Sequence, residues 1–134
     1  MKRVFVLTMA VILSLLLLSS CGVKVDENVK ETLELFFDGV DDGDSDAIKA
    51  VLSEDCPNRR APCQYLMELE EEDEIYLIRH IDKVTVTYYE KKTCVGYTEY
   101  LVEGKVESDF DETEFKIELL GDDEGTKITS FSFK

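Results

Sequence analysis

The chain has 134 residues, 15 basic and 30 acidic, for a formal net charge of −15 at neutral pH. Nucleic acid is excluded as a partner, because phosphate recognition needs a basic footprint and the only paired bases past the first residues are Arg59-Arg60 and Lys91-Lys92. The length allows one domain with a modest core.

The first element is a leader. Lys2 and Arg3 precede an apolar run from Val4 to Leu18 broken only by Thr8 and Ser14, followed by Ser19, Ser20 and Cys21. A membrane-spanning helix needs about 20 apolar residues, and this run is shorter, so it reads as a secretory signal. Leu18-Ser19-Ser20-Cys21 resembles the lipobox of bacterial lipoproteins. That resemblance implies cleavage before Cys21 and diacylation of its sulfur. It divides the chain into a signal peptide over 1–20, a short lipidated tether over 21–25 and a domain over 26–134. Removing residues 1–20 takes away two bases and no acids, which moves the net charge to −17. Such a domain is repelled by anionic lipid, so the acyl chains rather than the protein surface would hold it to the bacterial membrane, on the extracytoplasmic face.

From Asp26 onward, Val29, Leu33, Phe36, Phe37 and Val40 fall within one arc of a helical wheel, while Lys30, Glu31, Glu34, Asp38 and Asp41 lie outside it. Leu35 is the one apolar residue off the stripe. Gly43 suits the left-handed end of this helix, and Asp44 or Ser45 suits the N-cap of a second one carrying Ile48, Val51 and Leu52. A calcium loop aligned on Gly43 would put Val40 and Lys49 at ligand positions, so this stretch reads as a helix-helix turn. Tyr65, Leu66 and Leu69 suggest a third helix, and the acids from Glu68 to Glu74 a solvated face. No metal site is expected. Three cysteines plus His80 lack the close paired spacing of zinc ligands.

Four runs of alternating β-branched and aromatic residues follow: "HIDKVTVTYYEKK", "GYTEYLVEGKVES", "ETEFKIELL" and "TKITSFSF". Links at 91–93, 108–111 and 121–125 are short enough for hairpins. Val84, Val86 and Tyr88, then Phe115, Ile117 and Leu119, are expected on the inner face. The fold class is therefore α+β, with N-terminal helices packed on a curved antiparallel sheet of about four strands. "VKETLELFFDGVDDGDSDAIKAVLSED" and the closing "TKITSFSF" resemble small lipoproteins of the nuclear transport factor 2-like superfamily, with a cystatin-like arrangement of one helix on a meander as the alternative.

That superfamily includes isomerases, dehydratases and hydrolases as well as binding modules, so the resemblance conveys no activity. Its enzymes place an Asp, His or Tyr in an apolar pocket. His80 is the only histidine here, and Tyr65, Tyr88, Tyr89, Tyr97 and Tyr100 could line a cavity, but none falls in a motif, so no catalytic residue and no cofactor is assigned. The expected function is a non-catalytic domain binding a small apolar ligand or a protein partner; the alternative is a small isomerase-like or dehydratase-like enzyme. In an oxidising compartment, Cys56 and Cys63, bracketing Pro57 to Pro62, form the favoured disulfide. A bridge from Cys94 to either of them is the second choice.

Overall fold

The computed structural model describes residues 23–134, together with the backbone of Leu18–Ser20. Three helices, α1 (Glu27–Asp42), α2 (Ser45–Val51) and α3 (Pro62–Asp73), precede four long strands, β2 (Ile81–Thr93), β3 (Thr98–Ser108), β4 (Glu112–Asp122) and β5 (Gly125–Phe133). A three-residue strand β1, Leu18–Ser20, lies ahead of the helices. Strands β2 to β5 form an antiparallel meander, and β1 adds to its β2 edge in parallel, with Leu18 opposite Val84 and Ser20 opposite Val86. This strand was not expected, because its residues belong to the leader as the sequence reads. The proposed cleavage at Cys21 lies outside the described residues.

The apolar stripe of α1 faces the sheet. Val29, Leu33, Phe36, Phe37 and Val40 are fully buried against Phe115, Ile117, Phe131 and Phe133, whereas Leu35 is 58% exposed. Gly43 ends the helix at φ 65°, where a Cβ would be strained, and its N–H donates to Val40 O at 3.1 Å. Asp44 then caps α2 through Oδ1, which accepts from Ala47 N at 3.2 Å. Leu52 and Ser53 join the β5 edge at Ile128, where Ser53 N donates to Ile128 O at 2.8 Å. That edge is partly closed by the chain's own backbone.

Two expectations need correction. Residues 91–93 belong to β2 rather than to a link; the turn is 94–97, closed by Cys94 N donating to Tyr97 O at 2.9 Å. A register shift between Val86 and Tyr88 places Tyr88 opposite Glu103 on the outer face, where it is exposed. Tyr89 takes the inward position opposite Val102. A bulge adds a residue and inverts the alternation beyond it.

Candidate functional site

In a helix-on-sheet fold the natural place for a site is the concavity between α1 and the sheet, so its contents decide what the domain can do. Phenylalanines fill it. Phe36 lies 5.2 Å from Phe37 and 5.1 Å from Phe131, Phe37 lies 5.1 Å from Phe115, and Phe133 stacks parallel to Phe36 at 6.4 Å. Such centroid spacings are ordinary packed aromatic contacts. The rings meet because α1 presents Phe36 and Phe37 side by side to alternate inward positions of β4 and β5.

The candidate side chains are dispersed rather than gathered. His80 is half-buried, with Nδ1 3.2 Å from Asp109 Oδ2 and its ring 4.9 Å from that of Phe110 and 6.2 Å from that of Tyr76. It sits where β2 begins, beside the β3–β4 turn. Tyr65, on α3, meets Phe131 at 5.6 Å, and burial raises its hydroxyl pKa. Tyr88 and Tyr97 are exposed. Tyr89 and Tyr100 stack at 6.3 Å near the start of α1, where Asn28 Nδ2 donates to Tyr100 Oη at 3.1 Å and to Thr126 Oγ1 at 2.8 Å. Burial, with Asp26 beside it, pushes the Tyr89 hydroxyl up to about 12. It stays protonated at neutral pH. These five tyrosines do not line one common cavity.

Two carboxyl groups that the sequence did not single out are held in less aqueous surroundings. Glu34 is only 9% exposed, its Oε1 has no hydrogen-bond partner, and burial raises its pKa against the opposing pull of Lys30. Asp41 is raised by burial as well, opposed by the Ile81 N–H that donates to its Oδ1 at 3.1 Å. Its backbone O accepts from Arg79 N at 2.7 Å, so Asp41 fastens the end of α1 to the entry of β2. Glu34 lies off the α1 stripe, and neither carboxyl lines the two clefts on the outer face of the sheet. The signal that could have found Glu34 is absent from the sequence, where it is one of many helix acids.

Cys56 and Cys63 form no bridge in the structure. Cys56 Sγ faces Pro57 O at 3.4 Å, and burial pushes its thiol up to about 11; Cys63 Sγ faces Gly43 O at 3.5 Å. Cys94 is also a free thiol, in the β2–β3 turn. Cys21 lies outside the described residues. Among the described residues, no group of three His, Cys, Asp or Glu side chains comes together as a metal site, and no helix is long and apolar enough to cross a membrane.

The two outer-face clefts are open. One of about 340 Å³ is lined by Glu90, Lys92, Glu99, Leu101, Glu118 and Leu120, among others. Its neighbour, about 400 Å³, is bordered by Glu103, Lys105, Glu114, Lys116 and Lys134. Leu101 and Leu120, both half-buried, are diagonal neighbours on β3 and β4 because Leu101 pairs with Glu118 and Glu99 with Leu120. A small apolar centre ringed by charges results.

The arrangement of three helices on this meander recurs in solved structures. A candidate ketosteroid isomerase from Shewanella frigidimarina superposes with a TM-score of 0.54 at 11% identity, over 87% of this chain and 99% of that one. The Bdellovibrio bacteriovorus protein Bd1075 superposes with a TM-score of 0.51 at 14% identity, over 80% of this chain and 39% of that one. The fold is nuclear transport factor 2-like. At these identities the likeness carries the nuclear transport factor 2-like architecture and no activity. No family model matches the sequence, and no curated protein matches it.

Proposed function

We propose that the chain is a membrane-anchored bacterial lipoprotein whose nuclear transport factor 2-like domain, on the extracytoplasmic side, binds a partner protein rather than turning over a small molecule. The observation that carries this reading is the packing of Phe36, Phe37, Phe115, Phe131 and Phe133 in the concavity. A proton-transfer enzyme of this fold needs room there and a polar group tuned by burial. Glu34 has the burial but falls outside the arc of α1 that carries Phe36 and Phe37, and the Tyr89 hydroxyl is held far above the range useful at neutral pH. The outer face offers the alternative surface, with Leu101 and Leu120 at its centre and lysines and glutamates around them. Interfaces concentrate their energy in such apolar centres with polar rims.

Anchoring rests on the lipobox, and the acidic character of the remaining chain fits a partner with basic groups at its rim. Two measurements on the protein in its own envelope test the reading. A photo-crosslinker at Leu101 should give a discrete adduct with one protein, and native mass spectrometry should give the mass of the lipidated chain alone. A small molecule retained at one-to-one stoichiometry, with no adduct at Leu101, would instead favour the isomerase-like or dehydratase-like alternative.

A further inference from the structure

We infer that the β2 edge at Val84–Val86, held by β1 in the full chain, receives an extended segment of a partner protein once residues 1–20 are released, with a basic side chain of that segment set against Glu34. This rests on the cleavage before Cys21 proposed above and goes beyond it by naming what the cleavage uncovers. Strand β1 is Leu18–Ser20, so all of it lies on the leader side of that cleavage. In the full chain it runs parallel to β2, with Leu18 opposite Val84, Ser19 opposite Thr85 and Ser20 opposite Val86. Its departure takes the neighbouring strand from the backbone N–H and C=O groups on that side of β2, and such groups demand partners.

The two edges of the sheet are closed by different means. At β5 the domain closes its own edge: Leu52 bridges to Ile128, and Ser53 N donates to Ile128 O at 2.8 Å. Those residues stay with the mature chain. At β2 the closing residues are the ones removed. Val84 and Val86 are fully buried, so this stretch is fixed in the sheet, and the pairing with β1 shows that its outer side has room for an extended backbone. Addition of a strand from another chain is a recurring mode of recognition, in which main-chain bonds give affinity and side-chain pockets give specificity.

Glu34 says which side chain such a strand should carry. At the start of α1, Asp26 Oδ2 accepts from Lys91 Nζ at 2.6 Å, and at its end Asp41 Oδ1 accepts from Ile81 N at 3.1 Å. Helix α1 therefore runs along β2 in the opposite direction. Glu34 precedes Asp41 by two helical turns and lies on the same row. That is about 10 Å back along α1, or roughly three residues into β2, which is level with Val84. The Glu34 side chain is only 9% exposed, and its Oε1 has no hydrogen-bond partner. A buried carboxyl oxygen left unpaired is costly, and a lysine or arginine on the incoming strand satisfies it. The acidic balance of the chain, 30 acids to 15 bases, steers the same kind of segment toward it.

The full-length gene is expressed in a lipoprotein-processing host, and the product is held in detergent and checked by intact mass. It is titrated with the acetylated, amidated peptide of residues 15–20 and with an arginine scan of that peptide. We expect one scanned peptide to bind roughly tenfold tighter than the parent, the scale of one charge-assisted hydrogen bond. That peptide should slow amide hydrogen exchange at 84–86, and Glu34→Gln should remove its advantage. In protein whose mass is that of lipidated residues 21–134, no binding, no gain from arginine, slowed exchange away from β2, or a gain that survives Glu34→Gln overturns the docking and leaves the anchor standing. Exchange at 84–86 that is already slow without peptide, and quickens on dilution as a dimer mass disappears, overturns it in favour of a second copy of this chain. A mass that retains residues 1–20 overturns both, because β1 then keeps its place.

Discussion

Gly104 is where the concavity gets its depth. It lies opposite Val86 on one side and Phe115 on the other, and a Cβ there would meet Thr85 O at 2.1 Å and the Phe115 ring at 2.7 Å. The carbonyl cannot move without breaking the ladder, so Gly104→Ala is expected to cost about 3 kcal/mol or more, the upper range for overpacked cores. Chemical denaturation checks this, and a loss below about 1 kcal/mol, the scale of an unstrained change, would show that the ring yields easily. The cysteines are a second residue-scale case. Cys56 and Cys63 are free in the structure, yet we propose that they pair once the protein meets an oxidising compartment. Closing their eight-residue loop should stabilise the fold by roughly 2.5 kcal/mol on the chain-entropy model. Peptide mapping without reduction should find Cys56 linked to Cys63; a linked peptide containing Cys94 would overturn that pairing.

At the scale of elements, α1 was legible because its apolar residues repeat at the helical period, and the turn at Gly43 because only glycine adopts φ 65° without strain. The α2 cap was legible too, as a choice between Asp44 and Ser45. Asp44→Ala should therefore lower stability by about 1 kcal/mol, the usual loss of an N-cap. A thermal melt reads this, and an unchanged midpoint would mean that the bond to Ala47 N contributes nothing. Tyr88 was misplaced because a bulge leaves no mark on alternation until a partner strand is known. The filled concavity was only half legible. The α1 phenylalanines were clear core positions, but that Phe131 and Phe133 would close on them depends on the register of β5, shifted by a second bulge near Leu119. Strand β1 could not be foreseen, since a leader offers no alternation to read.

At the scale of the molecule, charge governs behaviour. The folded domain holds protons on Glu34 and Asp41 more tightly than the unfolded chain does, because burial raises both. Stability from such groups is complete below the ordinary carboxyl range and is lost as pH climbs through the raised values. Repulsion within a chain of 30 acids and 15 bases acts in the same direction. Melts should therefore show higher stability near pH 5 than near pH 8, a gap that added salt narrows and that Glu34→Gln narrows further. A higher midpoint at pH 8 would contradict this. The account as a whole depends on the anchor, since the proposed cellular address follows from it. Radiolabelled palmitate incorporation by the wild type and by Cys21→Ala tests it most directly: the account predicts label on the wild type and none on the variant, and label that persists on Cys21→Ala would contradict it.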